Sequence, residues 1–451
     1  MLYRKIEKTI SDHLKSKSDK ILIVKGARQI GKSYIIRHAA QALFANYIEI
    51  NLVEDKQNNG YFADVRTTDQ FYMQLSMLAG GKLGNRDNTI IFLDEIQEYP
   101  QLITLLKFLR QDNRFTYIAS GSLLGVTLSD EVVSLPIGSV ELLDMYPLDF
   151  EEFLMANGFG SLALSTMMEC FKKEQSLAEN VHKRVMELFK LYLIVGGMPD
   201  AVTEYIESKN VVKIRRIHSS IHELYGHDAA KYDNEHRLKI RRIYDMIPSN
   251  MENKKKRVVV KNIENKRGAR FEQYSDEFDY LVSSGIALEV EAISNPKYPL
   301  SLSMTKNLLK LYINDVGLFT NILYGNNIRS ILDDENSINL GSVYEDVVAS
   351  ELKAHGFRLF YYDNKKNGEV DFLVEDKDTT SILPLEIKSG KDYSVHSALS
   401  RFISTPDYAI KKAYVLSNER EVKTVNGITY LPIYYIMFFA PNKSQADVFL
   451  P

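Results

Sequence analysis

The length and composition of the chain limit what kind of protein it can be. Its 451 residues are too many for one ordinary core, so we expect two to four domains. Apolar residues make up 45% and charged residues 25%, which is typical of a globular protein in water. The formal net charge of −3 excludes a global basic field for nucleic acid, so any such contact must come from a local patch.

Three features of the sequence bear on the cellular compartment. Cys170 is the only cysteine, so it cannot form an intramolecular disulfide, which is consistent with a reducing compartment. The amino-terminal residues lack a long apolar stretch after a basic start, so we expect no secretory signal. The longest apolar run, 431–440, is too short to span a bilayer and contains Pro432, so it predicts a buried strand. We therefore expect a cytoplasmic protein with no membrane partner.

The first third of the chain alternates short apolar runs with helical patterns. The predicted strands are 21–25, 47–51, 89–94 and 116–120, and the predicted helices include 32–43 and 101–110. Such alternation is typical of a parallel sheet that helices cover on both faces. The sequence therefore predicts an α/β domain of residues 1–148.

The pattern changes after Pro147. Helical periodicity dominates residues 149–208 and predicts a helical lid, while helices and a short β-ribbon in 209–340 predict a winged-helix region. Residues 341–451 follow an α-β-β-β-α-β order and form the last predicted domain. Its predicted helices are 343–355 and 395–402, and its predicted strands are 358–362, 369–375, 382–388 and 412–416.

The strongest motif lies between the first predicted strand and the first predicted helix. It reads Gly26-Ala27-Arg28-Gln29-Ile30-Gly31-Lys32-Ser33 and fits the phosphate-loop pattern G-x-x-x-x-G-K-[ST] at every constrained position. The glycines let backbone N–H groups curl around phosphates, and the helix start adds its positive dipole end. Lys32 would reach the β- and γ-phosphates of ATP, and Ser33 would bind Mg²⁺.

Two further strand ends carry side chains suited to nucleotide hydrolysis. Asp94 ends the run 89–94 and would hold Mg²⁺, while Glu95 would polarise the attacking water as a general base. The run 116–120 continues into Gly121 and Ser122. Ser120 or Ser122 would sense the γ-phosphate by hydrogen bonding, and the alternative is a plain strand-to-loop turn.

The last predicted domain contains a nuclease-like set of side chains. Asp371 lies on one predicted strand, and Glu386 and Lys388 lie on one face of the next. Glu345 on the preceding helix would be a fourth member. Two carboxylates and a lysine of this kind hold Mg²⁺ and activate water for phosphodiester cleavage. The alternative is a cross-strand salt bridge on an exposed sheet face.

Basic residues and histidines in the middle of the chain are less specific. The run Lys254-Lys255-Lys256-Arg257 would contact a phosphate backbone if the region is a winged helix, and would otherwise be a solvated loop. His218 and His222 are four residues apart on a predicted helix and could face the same way, but no third metal ligand is evident. We therefore interpret these two residues and His227 as helix surface residues.

These motifs together resemble a known family. The chain resembles uncharacterised prokaryotic proteins in which an AAA-type P-loop ATPase domain precedes a C-terminal domain of unknown function. The resemblance lies in the phosphate loop, Leu93-Asp94-Glu95, Ser120-Gly121-Ser122 and the segment 146–150. The segments 196–199, 310–318 and 341–345 agree with it. The resemblance implies an AAA fold, ATP binding, a restriction-endonuclease-like C-terminal fold, and a homo-oligomer or a nucleic-acid or protein client.

One position departs from this family. Many relatives have a Gly-Arg pair before the Tyr-Pro-Leu segment, whereas this chain has Gly138-Ser139. An arginine acting on the γ-phosphate from this position is therefore in doubt. Arg110 and Arg114 are alternatives, although each is typical of a solvated surface residue.

The motifs leave three functional hypotheses. The first is an ATPase that uses nucleotide-driven motion to act on nucleic acid or on a protein client. The second is an ATP-gated nuclease that uses Asp371, Glu386 and Lys388. The third is a nucleotide-sensing interaction protein with little turnover.

Overall fold

The structure, a computed structural model, describes residues 2–128, 136–229, 234–253, 256–333, 340–390 and 393–441. The chain divides into two compact units, and each is described by itself. The first unit consists of Met1–Tyr146 and Asp279–Ile286, and the second of Pro147–Phe278 and Ala287–Pro451. In the described ranges, no helix is both long enough and apolar enough to cross a membrane.

The first unit is built on a five-stranded sheet with the order β2-β3-β4-β1-β5, in which all pairs are parallel. The strands are β1 Ile21–Lys25, β2 Asn46–Asn51, β3 Thr89–Asp94, β4 Thr116–Gly121 and β5 Val140–Asp144. The helices are α1 Lys5–Lys15, α2 Lys32–Leu43, α3 Leu52–Asn58, α4 Thr68–Ala79, α5 Pro100–Asp112 and α6 Leu124–Leu128. The predicted α/β fold with a parallel sheet is therefore confirmed.

The position of each strand in this sheet explains its sequence. The interior strand β3 is buried along its whole length, and its residues 90–93 are a continuous apolar run, as expected for a strand covered on both faces of a parallel sheet. Three of the five residues of the edge strand β5 are exposed, and this strand was not predicted. Since β1, β3 and β4 are parallel neighbours, the residues that follow their carboxyl ends meet at one edge of the sheet.

The second unit contains most of the helices. They are α7 Phe150–Ala156, α8 Ser161–Lys172, α9 Glu179–Val195, α10 Pro199–Ser208, α11 Val211–Ala229, α12 Asn234–Glu252, α13 Ser275–Ser283, α14 Val316–Tyr324, α15 Arg329–Leu332, α16 Leu340–Ala354 and α17 Ser397–Ser404. The division between the units falls inside α13, whose residues from Asp279 onward belong to the first unit. The helical prediction for 149–208 agrees with α7 to α10.

The strands of the second unit form one eight-stranded sheet with the order β12-β13-β11-β10-β9-β8-β6-β7. They are β6 Ala287–Ile293, β7 Met304–Ile313, β8 Phe360–Asn364, β9 Gly368–Asp376, β10 Ser381–Ile387, β11 Ala413–Ser417, β12 Lys423–Val425 and β13 Ile428–Pro432. The order α16-β8-β9-β10-α17-β11 matches the predicted α-β-β-β-α-β order.

The predicted β-ribbon does not stand apart as the wing of a separate domain. Its strands β6 and β7 pair with each other, and β6 also pairs in parallel with β8. The ribbon therefore extends the sheet that carries the C-terminal strands. The winged helix and the four-domain division stay predictions.

Two local predictions in this unit are wrong. The run 431–440 is not one buried strand, because β13 ends at Pro432 and a buried 3₁₀ helix follows at Ile433–Phe438. An all-apolar segment has no periodicity that separates strand from helix, and proline does not continue the ladder. His218 is not a surface residue either: its side chain is fully buried, and its Nε2 lies 3.0 Å from the Val195 carbonyl oxygen.

Candidate functional site

The phosphate-loop segment connects β1 to α2 in a conformation that requires glycine. Gly26 has a φ of 149°, and a Cβ there would lie 2.2 Å from the carbonyl oxygen of Met145. Gly31 has a φ of 90° and is the N-cap of α2. Because both residues lack a side chain, the loop can turn sharply and present the first amides of the helix.

The Lys32 side chain lies within this loop. Its ammonium donates hydrogen bonds to the carbonyl oxygens of Gly26 (3.0 Å) and Ala27 (2.8 Å). Burial lowers the pKa of Lys32, while the carboxylates of Glu95 and Asp94 act in the opposite direction. The amine therefore lies against the carbonyl oxygens at the start of the loop.

Ser33, Asp94 and Ser120 form a connected set at the carboxyl edge of the sheet. The Ser33 hydroxyl lies 2.9 Å from both carboxylate oxygens of Asp94, and the buried Ser120 hydroxyl donates to Oδ1 of the same carboxylate. Burial raises the pKa of Asp94, and the hydrogen bonds from the two serines oppose this shift. The set offers oxygen ligands only, which is the chemistry that Mg²⁺ prefers.

Glu95 is held separately from Asp94. Its backbone is left-handed (φ 57°), which turns the chain out of β3 into the 3₁₀ turn Ile96–Glu98. One carboxylate oxygen accepts hydrogen bonds from Gln97 Nε2 (2.6 Å), Ser122 Oγ (2.7 Å) and Ser122 N (3.1 Å). Burial alone would raise the pKa of Glu95, but the Lys32 ammonium and these hydrogen bonds outweigh it and lower the pKa. The group is therefore an ionised carboxylate in a fixed orientation.

The C-terminal set of predicted residues also comes together, in the second unit. Asp371 on β9 accepts a hydrogen bond from the Ile387 amide (2.8 Å), and Lys388 donates to Glu386 Oε1 (2.8 Å). Glu345 on α16 accepts from the hydroxyl of Tyr312 (3.1 Å). Burial raises the pKa of Asp371 well above its usual range, and repulsion from Glu386 and Glu345 adds to the shift. The predicted juxtaposition is therefore present in the fold.

Three family similarities follow the chain in order. Residues 18–154 match the family described as an AAA domain. This part of the chain is therefore similar to AAA domains. Residues 186–328 and 340–436 match two families described as domains of unknown function, DUF8612 and DUF4143. No curated protein is significantly similar to the chain. The restriction-endonuclease-like fold predicted for the C-terminal part stays a prediction.

Several solved structures are similar at low sequence identity. The Walker-type ATPase of Pyrococcus abyssi is 14% identical, with a TM-score of 0.43 over 72% of this chain and 96% of that chain. The Aeropyrum pernix ORC2 protein is 11% identical, with a TM-score of 0.36 over 74% and 95%. The Thermotoga maritima RuvB Holliday junction branch migration motor is 13% identical, with a TM-score of 0.29 over 63% and 89%. At these values the likenesses do not bear on function.

The first unit contains contacts that the sequence did not reveal. The guanidinium of Arg4 donates to the carbonyl oxygens of Ile30 in the phosphate loop (3.0 Å) and of Tyr146 (2.6 Å). Gly285, in the stretch 279–286, has a φ of 75°, and a Cβ there would lie 3.2 Å from the amide nitrogen of Ala27. Since these partners are distant along the chain, no local pattern predicts them.

The arginine candidates lie away from the phosphate loop within this unit. The Ser139 carbonyl accepts from the amide of Ile21, at the start of β1, whereas the loop follows the end of that strand. Arg110 pairs with Asp19 (2.5 Å), which also precedes β1, and Arg114 lies over the ring of Tyr72 (4.3 Å). An arginine at position 139 would therefore not reach the phosphates of its own chain.

The described part of the predicted basic run points inward. Lys254 and Lys255 lie outside the described residues. Lys256 forms an ion pair with the buried Glu345, and Arg257 lies 3.6 Å from Asp363. Neither of these two cations therefore extends freely into solvent as a phosphate-contacting loop residue would.

Proposed function

We propose that the protein is a Mg²⁺-dependent ATPase whose catalytic centre is the carboxyl edge of the first sheet. One contact carries this proposal: the Ser33 hydroxyl lies 2.9 Å from the Asp94 carboxylate oxygens, next to the buried Lys32. A phosphate loop, a metal-binding hydroxyl and a strand-end carboxylate are the parts that P-loop nucleotide hydrolysis uses.

The residues at this edge fit a hydrated Mg²⁺ ion. Ser33 and Asp94 supply oxygen atoms, and Mg²⁺ is commonly held by one or two such groups together with phosphate and water. Asp94 is an acceptor for two hydroxyl groups, so it can give up the hydrogen bond from Ser33 and still be oriented by Ser120. Bound Mg²⁺ would neutralise charge on the phosphate oxygens.

Each remaining side chain has a distinct task in the proposed reaction. Lys32 exchanges the carbonyl oxygens of Gly26 and Ala27 for phosphate oxygens. Glu95 accepts a proton from the attacking water. Because its pKa is lowered, the carboxylate is a weak base, and a fixed orientation toward the water must offset this. Ser122 and Gln97 supply that orientation through three hydrogen bonds. Ser120 and Ser122 therefore act as positioning residues.

The client is tested by measuring ATP hydrolysis with Mg²⁺ in the presence of DNA, RNA or an unfolded protein. Stimulation by nucleic acid that is absent in Lys32→Ala supports an ATPase that acts on nucleic acid. Stimulation by the unfolded protein alone supports a protein client. Tight ATP binding without turnover in any condition would contradict the ATPase proposal and favour a nucleotide-sensing protein.

Assembly is a further part of the proposal. Arg110, Arg114 and position 139 lie away from the phosphate loop of their own chain, so none of these three is placed to act on the γ-phosphate in the same subunit, and the proposal assigns that role to an arginine of a neighbouring subunit. We therefore propose that turnover per chain rises with protein concentration as a homo-oligomer forms. A specific activity that stays constant from nanomolar to micromolar protein would contradict this.

The second candidate function is an ATP-gated nuclease in the second unit. The observation that favours it is the convergence of Asp371, Glu386 and Lys388 across the pair β9–β10, with Glu345 beside them. In this proposal the nuclease requires ATP and a divalent cation, and Lys388→Ala abolishes cleavage. Cleavage that persists in Lys388→Ala would place the activity elsewhere.

A further inference from the structure

The charge cluster of the second unit contains more lysines than its sequence motif includes. Lys256 and Lys310 join Lys388 among the acidic side chains. Both come from the region that matches the first domain of unknown function, whereas the acids lie in the region that matches the second. The cluster is therefore completed by residues outside the segment that carries the nuclease-like motif.

Lys256 is paired with the acid on helix α16. Its ammonium contacts Oε1 of Glu345, while the Tyr312 hydroxyl donates to Oε2 of the same carboxylate at 3.1 Å. The Glu345 side chain is buried, and 19% of the Lys256 side chain remains exposed. Asp371 also attracts this ammonium and, with Glu345, raises the pKa of Lys256 against the effect of burial.

Lys310 reaches the same cluster from the edge strand β7. Its side chain is 1% exposed, and its ammonium lies 4.5 Å from the centre of the Tyr361 ring and pairs with Glu369. A lysine so deeply buried is stable as a cation only if carboxylates surround it. Glu345, Glu369 and Asp371 supply that environment.

This arrangement does not fit a divalent cation as it stands. Across the described ranges, no three acidic, histidine or cysteine side chains are placed to hold a metal ion. Glu345, Glu369 and Glu386 each pair with a different lysine, and Asp371 accepts a backbone amide. One acceptor is left over: Oε2 of Glu386, a residue only 6% exposed, has no hydrogen-bond partner.

We propose that Lys256 and Lys310 are built-in counter-cations of this cluster, and that a divalent cation binds there only when Lys256 leaves Glu345. Lys256 is the one that leaves, because it is partly exposed and lies outside any helix or strand, whereas Lys310 is enclosed within β7. Its departure frees Glu345 and leaves the unpaired oxygen of Glu386 and the Asp371 carboxylate available as ligands. The inference rests on the second candidate function, but it concerns metal binding and not cleavage.

The test measures Mn²⁺ binding to the full chain by calorimetry, without nucleotide or nucleic acid. Every protein carries Asp94→Asn, so that the other candidate metal site does not contribute. We expect no Mn²⁺ site in this background, about one per chain after Lys256→Met, and none when Asp371→Asn is added. Lys412→Met, which removes an ion pair with Glu174 elsewhere in the same unit, is the matched control and gains no site.

Two outcomes would overturn the proposal: Mn²⁺ binding in the background that Asp371→Asn removes, or a folded Lys256→Met protein that gains no site. If Lys256→Met does not fold, amine acetylation of the unmodified chain followed by mass spectrometry decides. We expect Lys256 to react more slowly than the exposed Lys183, because the Lys256 side chain is only 19% exposed and its ammonium is paired with the buried Glu345. Equal rates would overturn the proposal. Since no nucleic acid is present, this result is independent of whether the protein cuts it.

Discussion

Replacing Glu95 with glutamine separates its role as a base from its role in the fold. The carboxylate oxygen that accepts hydrogen bonds from Gln97 and Ser122 is retained as the amide oxygen of glutamine. The variant therefore keeps the geometry and loses the negative charge and the proton acceptor. A positioned general base typically contributes a rate factor of about 10² to 10⁴, which corresponds to about 3 to 5 kcal/mol of transition-state stabilisation.

We expect Glu95→Gln to lower kcat for ATP by this factor and to leave ATP binding unchanged or tighter. Tighter binding is expected because a negative charge near the phosphates is removed. The assay is steady-state phosphate release with Mg²⁺, together with ATP binding by calorimetry. Glu98→Gln is the matched control, since Glu98 lies in the same 3₁₀ turn but pairs with Lys56 at 3.2 Å. A Glu95→Gln enzyme with at least half of the parent rate would refute the assignment of the base.

Three further outcomes follow from the structure. Lys32→Ala removes the rise in melting temperature that saturating Mg·ATP gives the parent, a stabilisation of about 2.7 kcal/mol when ATP is at a hundred times its Kd. Gly26→Ala costs about 1 to 3 kcal/mol in urea unfolding, because its Cβ would overlap a carbonyl oxygen, whereas Gly81→Ala meets nothing within 4 Å. His218→Gln reduces the decrease in unfolding free energy that the parent shows at acid pH. His227→Gln, which changes an exposed side chain of the same helix, is the control and does not reduce it.

The sign of the His218 effect follows from its pKa, which burial lowers from 6.5 to about 3 in the folded chain. Below pH 6.5 the unfolded chain binds a proton that the folded chain does not, so stability falls, by about 2 kcal/mol at pH 5. Asp315, whose pKa burial raises to about 6, titrates in the opposite direction. The difference in unfolding free energy between parent and His218→Gln is therefore the quantity to follow by urea unfolding from pH 7 to pH 5.

Each of these predictions has a result that contradicts it. A Lys32→Ala protein that Mg·ATP still stabilises as much as the parent would remove the lysine from the site. Equal unfolding free energies for Gly26→Ala and Gly81→Ala would show that the loop accepts a side chain. If the difference in unfolding free energy between the parent and His218→Gln stays constant between pH 7 and pH 5, then burial does not oppose protonation of His218.

The candidate site around the loop 26–33 could be predicted because its information is local. The loop 26–33 lies between a strand and a helix that the sequence marks by periodicity, and Asp94, Glu95 and Ser120 lie at the carboxyl ends of two neighbouring strands. Parallel strands bring their carboxyl ends to one edge, so residues far apart in sequence meet without any long-range contact having to be predicted. The α/β class follows from the same alternation.

The parts that could not be predicted depend on tertiary contacts. Arg4 and Gly285 contact the phosphate loop from distant positions, and nothing in their own segments marks them. In the sequence, Lys310 is simply a charged residue within an apolar strand. Only the fold shows that carboxylates surround it. His218 has the helical spacing of its neighbours, so burial could not be inferred without knowing which face of α11 packs inward.

The proposed function requires that the first unit hydrolyses ATP with Mg²⁺. Single-turnover conversion of γ-labelled ATP by an excess of the full chain tests it most directly, with the parent and Lys32→Ala compared in Mg²⁺ and in EDTA. We expect phosphate release only by the parent and only in Mg²⁺. Release of equal extent by Lys32→Ala, or ATP that remains bound and uncleaved by the assembled parent in Mg²⁺, would contradict it.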